Sequence, residues 1–282
     1  MATTDGLMQA PFKLDDIDDA MTLVEEAGWN QVAADWRLMC DGGDAVIIRN
    51  ENERIAATAL ALPYPGGFGW ISMVLVSTAM RRQGLATALL GDRIDWLQER
   101  GLVPILDATE AGEQVYTKIG FVPGLRFTRW QGERQNSYRK NEGVREANTS
   151  DEGWISTLDA EVFNADRRNL IGDFLNRDGS KCFVIETKKP GFIISRQGRR
   201  AAQFGPLISA SEDDAIALVD AALAVTDGPV FFDLLDTRTE LAAYISSIGF
   251  EKQRGFTRMS LGDSPDFDGG GRTMIIAGPE YG

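Results

Sequence analysis

The chain has 282 residues, 43% of them apolar and 25% charged, with a formal net charge of −13 at pH 7. That length is long for one compact core and fits two ordinary domains, and the balance of residues is that of a soluble globular protein. The acidic surplus argues against nucleic acid or an anionic membrane as partner and suits a cationic small molecule. No apolar run reaches the roughly 18 residues of a membrane span, and the start of the chain, with Asp5 and Lys13, lacks the apolar segment of a signal peptide, so a cytoplasmic location is expected. Two cysteines, Cys40 and Cys182, and no histidine leave no disulfide framework and no metal site to expect.

Apolar residues at helical spacing predict helices over Asp15 to Ala27 (Ile17, Met21, Leu23, Val24) and Gln31 to Met39 (Val32, Trp36, Leu38), interrupted at Gly28-Trp29-Asn30. Between them Trp29, Asn30, Gln31 and Asp35 combine an aromatic face with amide and carboxylate groups, a cradle suited to an ammonium ion; Trp36 is assigned to the core. Ala45 to Ile48 and Ile55 to Leu62 read as strands joined by Asn50 to Glu53, and Trp70 to Val76 as a third.

That third strand runs into Arg81-Arg82-Gln83-Gly84-Leu85-Ala86-Thr87 and then a helix, Ala86 to Arg100. A basic, glycine-bearing loop at a helix start is a device for holding phosphates: the backbone comes close, the first N–H groups have no intrahelical acceptor, and the helix dipole favours an anion. The Gly-Lys-Ser/Thr ending of a nucleotide-hydrolase loop is missing, as is an acidic residue at the distance that holds a ribose. Next come a strand, Leu102 to Asp107, a helix holding Tyr116, and Ile119-Gly120-Phe121.

The segment Arg81 to Ala86 matches Arg/Gln-x-x-Gly-x-Gly/Ala. With Tyr116-Thr117-Lys118-Ile119-Gly120-Phe121 at its spacing downstream, residues 10 to 131 resemble the GNAT superfamily of acyl-CoA-dependent N-acetyltransferases. The resemblance implies an α/β (α+β) fold in which a mixed, mostly antiparallel sheet is flanked by helices, and acetyl-CoA as co-substrate without a metal. It places the pyrophosphate on Arg81, Arg82, Gln83, Gly84, Leu85, Ala86 and Thr87. The thioester carbonyl would meet a backbone N–H of the strand Met73, Val74, Leu75, Val76, which splays from the Asp107 strand to admit pantetheine. Tyr116 would sit beside the sulfur as general acid, since a phenol of pKa about 10 can donate to a thiolate whose conjugate acid is near 8.5; packing the helix on the sheet is the alternative. Thr109, where the family often has asparagine, can bond a pantetheine amide, Gly112 stands where the family has alanine, and the helix pair around Trp29 would wall the acceptor site. Without histidine, deprotonation of the amine falls to a carboxylate or to water. Asp107 is the first candidate for the base, and a helix N-cap is its equal alternative. Glu110 and Glu113 are assigned to the surface.

The second half repeats the first. Ile119-Gly120-Phe121 followed by Phe127-Thr128-Arg129 recurs at the same offset as Ile248-Gly249-Phe250 followed by Phe256-Thr257-Arg258, each behind an apolar strand ending in an acid, Asp107 or Asp236. Ala201 to Ile208 corresponds to the Trp70 strand, yet Ser211-Glu212-Asp213-Asp214 stands where the first half has Arg-Arg-Gln-Gly. Those carboxylates cap a helix and would repel a pyrophosphate, so this half resembles a GNAT domain that has lost its cofactor. Helices are expected at Glu152 to Phe163 and Asp213 to Ala224, and strands at Phe183 to Glu186, Phe192 to Ser195 and Val230 to Leu235. Asp159, Phe163, Asp166 and Arg167 form a cluster that either closes the site or lies on a solvated helix face. Asp263 to Asp266 reads as a turn, Asp268-Gly269-Gly270-Gly271 as flexible, and the last dozen residues carry no assignment.

The expected organisation is a GNAT acetyltransferase domain over residues 1–131, a linker over 132–143 and a degenerate GNAT-like domain over 144–282 that contributes to the acceptor site. The expected activity is acetyl transfer to the primary amine of a small molecule, such as an amino acid, polyamine or aminosugar, by direct attack in a ternary complex, in a monomer or homodimer. A non-catalytic acyl-CoA-binding sensor and a protein-lysine acetyltransferase stand as alternatives.

Overall fold

The computed structural model describes residues 7–133 and 143–282. They form two compact units, one running up to Leu106 and including Tyr281, the other comprising Asp107–Glu280 and Gly282. Among the described residues no helix is long and apolar enough to cross a membrane.

The first unit contains β1 (Met8–Pro11), α1 (Ile17–Glu26), α2 (Ala33–Gly42), β2 (Asp44–Arg49), β3 (Ile55–Tyr64), β4 (Phe68–Val76), α3 (Leu85–Gln98) and the start of β5 (Val103–Thr109). The strands lie in that order, antiparallel except for the parallel β4–β5 pair. Nearly every residue of β3 is buried, so both faces of the sheet are covered, and α1, α2 and α3 all pack on this strand. At Gly69 on β4 a Cβ would collide with Leu97 of α3, so the missing side chain lets helix and strand approach closely.

The β4–β5 ladder is short. Phe68, Gly69 and Trp70 pair with Val103, Pro104 and Ile105, while β4 continues from Ile71 to Val76. Within that continuation Met73 has φ 52°, the ladder to β3 shifts register beside it, and the Thr58 hydroxyl donates to the Met73 carbonyl at 2.7 Å. These are the marks of a β-bulge, which bends its strand away from its neighbour.

The second unit contains α4 (Glu110–Lys118), β6 (Val122–Glu133), β7 (Val144–Glu146), α5 (Glu152–Phe163), α6 (Arg168–Asn176), β8 (Lys181–Ile185), β9 (Gly191–Arg196), β10 (Ala202–Ile208), α7 (Glu212–Ala224), β11 (Pro229–Leu235), α8 (Thr239–Ser247), β12 (Glu251–Ser260) and β13 (Thr273–Ile275). The order in this sheet is β12-β6-β11-β13-β10-β9-β8-β7, again mostly antiparallel, with β10 and β11 parallel where they touch. Gly132 and Glu133, expected in the linker, end β6; residues 134–142 lie outside the described residues. Helix α6 was not foreseen, its apolar face resting on only Leu170, Ile171 and Phe174. The glycine run expected to be flexible is an ordered turn, in which the Asp268 carbonyl accepts from the N–H groups of Gly271, Arg272 and Thr273 at 3.1 Å.

The two Phe-Thr-Arg segments lie side by side on β6 and β12, with Phe127 stacked on Phe256 at 5.1 Å. Each arginine reaches an acid of the other repeat: Arg129 donates to both oxygens of Asp233 on β11 (2.8 and 2.7 Å), and Arg258 to both oxygens of Asp107 (2.9 and 3.0 Å). All four side chains are 4% exposed or less. The repeats have thus exchanged their Phe-Thr-Arg strands, and the exchange is fixed by two bidentate ion pairs whose geometry no slipped register reproduces. Asp159 and Arg167 form a third buried pair (2.7 and 2.9 Å) with Arg167 over the Phe163 ring, so this part of the expected cluster is interior; only Asp166, bonded to Arg168, faces solvent.

Removing one member of such a pair leaves a buried charge unmatched. Arg258→Met is expected to cost about 3–5 kcal/mol of stability in urea unfolding, with Asp107→Leu in the same chain recovering much of it. A loss below about 1 kcal/mol for the single variant would show that the pair does not hold the exchanged strands.

Candidate functional site

After β4 the chain makes one 3-10 turn (Thr78–Met80), tied to the end of α1 by the Thr78 N–H and hydroxyl, which donate to Glu26 at 2.8 and 3.1 Å. Two left-handed residues follow, Arg82 (φ 62°) and Gly84 (φ 81°), and Gly84 is the N-cap of α3. A Cβ at Gly84 would meet nothing, so glycine is needed there for its backbone conformation and not for space. Having no side chain, the cap offers no acceptor to the first N–H groups of α3, and among the described residues no other side chain supplies one. Successive N–H groups in a loop that alternates with left-handed residues make an anion-binding concavity. An arginine in this conformation is strained by about 1–2 kcal/mol, and strain of that kind gathers at binding sites.

The loop, the exposed ends of Arg81, Ala86 and Thr87, the last three residues of β4 and Trp29 line one cavity of about 440 Å³. Gln83 bends back to Met80. Leu75 and Val76 are paired to β3 on one side, and the ladder to β5 has already ended at Trp70, so the other edge of β4 presents backbone polar groups to the opening. Of the expected acceptor residues Trp29 is half-buried at the cavity wall, and Asn30 and Gln31 are buried, the Gln31 Oε1 without a hydrogen-bond partner among the described residues. Asp35 has another task. Its Oδ2 accepts from the Val32 N–H (2.8 Å), capping α2, and its Oδ1 accepts from the Tyr281 hydroxyl (3.0 Å), while Tyr64 donates to the Tyr281 carbonyl (2.7 Å). Trp36 is buried against Phe12, as expected.

Asp107, Thr109 and Tyr116 belong to the second unit. Burial raises the Asp107 pKa, opposed by the Arg258 guanidinium that engages both its oxygens. The N-cap of α4 is Thr109, whose hydroxyl accepts from the Gly112 N–H at 3.4 Å, so Asp107 does not cap this helix. Tyr116 is half-buried on α4, its ring 6.0 Å from that of Phe121, and burial raises its pKa. A Cβ at position 112 would lie 3.0 Å from the Tyr116 ring, so glycine there gives the ring its room. Burial pushes the thiols of Cys40 and Cys182 up to about 11 and about 12, which keeps both protonated and unreactive near neutral pH.

The loop geometry separates fold from binding. Arg82→Gly relieves the strain and is expected to leave thermal stability unchanged or raised by up to about 1 kcal/mol, while weakening acetyl-CoA binding about tenfold or more in calorimetry. A variant that loses stability, or that keeps full affinity, would contradict the assignment of strain and charge to binding.

Two family models match the chain. Residues 14–121 match the acetyltransferase (GNAT) family, and residues 155–270 match an acetyltransferase (GNAT) domain. The chain is 24% identical over 190 residues to the uncharacterized N-acetyltransferase YitH of Bacillus subtilis (strain 168), a match covering 64% of this chain and 66% of that protein's length. In fold it is similar to a candidate acetyltransferase from Pyrococcus horikoshii (TM-score 0.81, 18% identity, 99% of this chain and 98% of that one). It is also similar to a GCN5-related N-acetyltransferase from Sphaerobacter thermophilus (TM-score 0.66, 15% identity, 92% and 96%). A third likeness is a tandem GNAT protein from the clavulanic acid biosynthesis pathway (TM-score 0.68, 13% identity, 92% and 100%). With a GNAT match in each half and a phosphate-type loop at the start of α3, the chain belongs to the GNAT superfamily of acetyltransferases.

Proposed function

We propose that the protein is a cytoplasmic, acetyl-CoA-dependent N-acetyltransferase whose first half holds the cofactor and transfers its acetyl group to the primary amine of a small molecule by direct attack in a ternary complex. The observation that carries this reading is one cavity lined by both an uncapped helix start and an open strand edge. The donor set fits the cofactor: N–H groups of the Arg82 to Thr87 turn and the Arg81 and Arg82 charges suit a pyrophosphate, and the free edge of β4 suits an amide-bearing arm. Acetyl-CoA, when bound, supplies an acyl group already activated as a thioester.

The residues of the chain do the rest. The bulge at Met73 lies on the part of β4 that the β5 ladder has left, where a backbone N–H can donate to a carbonyl oxygen as charge builds on it. Tyr116 keeps its proton through the physiological range because burial raises its pKa, and it is the donor to the departing sulfur. The geometry argues against Asp107 as the base, since Arg258 takes both its oxygens and the side chain is fully enclosed. The amine proton therefore passes to water. Trp29 at the cavity wall supports amine binding by its face; Gln31, two positions on and outside the cavity lining, holds a buried carbonyl without a partner among the described residues, an acceptor for an N–H.

Tyr116→Phe removes one hydroxyl and little packing. Acetyl-CoA affinity should stay within about twofold while turnover falls by about 10²–10⁴. Because the Tyr116 pKa is raised, loss of its proton should not lower wild-type turnover between pH 7 and 9. Near-wild-type turnover of the variant, with chemistry rate-limiting, would reduce Tyr116 to a packing residue.

A further inference from the structure

The second half repeats the parting of two parallel strands, and the gap is filled. β10 and β11 pair through Ala202, Gln203 and Phe204 against Val230, Phe231 and Phe232 and then separate, as β4 and β5 do. Into this space runs β13, antiparallel to both: Ile275 pairs with Leu207 on one side and Leu234 on the other. The Ile276 N–H donates to the Asp233 carbonyl at 3.0 Å, and Arg196 donates to the Ala277 carbonyl at 2.7 Å. Residues 273–277 are buried, and a Cβ at Gly205 on β10 would run into the Ile276 carbonyl, so the segment lies against bare backbone. The helix start beside this gap is closed as well. The Ser211 side chain caps α7 by accepting from the Asp214 N–H, and Glu212 accepts from the Leu241 N–H at 2.6 Å.

We propose that residues 273–277 are the resident occupant of a second, cofactor-type slot between β10 and β11, and that they hold the second half closed so that the chain carries one acyl-CoA. This rests on the reading of the β4–β5 gap as the place of the cofactor's amide-bearing arm. Parted parallel strands leave two rows of N–H and C=O groups that an extended chain must meet, whether a pantetheine arm or a peptide. In the second half the protein's own peptide meets them. With carboxylates at the neighbouring helix start, a pyrophosphate has no counterpart there.

Hydrogen exchange on the whole protein, with acetyl-CoA and pantetheine as probes, tests this. In the wild type acetyl-CoA should slow exchange over residues 74–87 and leave 202–208 and 273–277 unchanged, with a calorimetric stoichiometry of one. Ile275→Pro, which removes an N–H from the ladder, should raise exchange over 202–208 by about tenfold or more. Pantetheine, added with the first site saturated, should then restore protection at 202–208 in the variant and do nothing there in the wild type. Should the proline variant not fold, Ile275→Ala is read the same way. A second bound acetyl-CoA, a ligand response at 202–208 in the wild type, or an unseated segment whose gap ignores pantetheine would overturn the proposal. Absence of protection at 74–87 counts instead against the cofactor site of the first half, and the two failures are told apart within one experiment.

Discussion

Parallel strands that part leave backbone donors and acceptors facing a gap, and a buried peptide group without a partner costs as much as a lost hydrogen bond. This constraint organises the molecule. In the first unit the β4–β5 ladder ends at Trp70 and Ile105, and left-handed backbone occurs at Met73 in the bulge of β4 and at Arg82 in the loop that follows. In the second unit the corresponding strands part after Phe204 and Phe232, and β13 occupies the gap. One fold thus yields an open slot and a filled one. The difference in helix starts, Gly84 with Arg81 and Arg82 against Ser211 with three acids, agrees with it.

Charge inside the protein serves geometry. Arg129 with Asp233 and Arg258 with Asp107 are held in water-excluded positions where a misplaced partner would leave an unmatched ion. They lie on the strands that the two repeats exchange, so the ion pairs specify which strand stands beside which. Most of the other carboxylates among the described residues lie at the surface. A neutral or cationic acceptor approaches such a surface more readily than an anionic one.

The sequence made the phosphate-type loop legible because its chemistry is local: a glycine that must adopt a left-handed conformation and basic residues beside it leave a mark within a few positions. The place of Tyr116 on a helix ahead of Gly120-Phe121 was legible for the same reason, as were the helix and strand runs of the first half, whose ends fall within two or three residues of those expected. The roles of Asp107 and Asp35 were not. Arg258 is 151 positions from Asp107, and Tyr281 is 246 positions from Asp35, and no local pattern announces either partner. β13 escaped for a different reason. Thr273-Met274-Ile275-Ile276 is too short for a period to show, and it follows a glycine run that reads as flexible until the Asp268 carbonyl is seen to gather three N–H groups.

The central claim is that the open slot presents an acetyl thioester to a small amine. Its most direct measurement is free-thiol release from acetyl-CoA by the intact protein across amino acids, polyamines, aminosugars and lysine peptides, with products identified by mass. The account predicts thiol release that depends on one class of small primary amine and yields its N-acetyl derivative. Tight acetyl-CoA binding with no amine-dependent release would contradict it in favour of a sensor, and release with peptides alone would contradict the assignment to a small molecule.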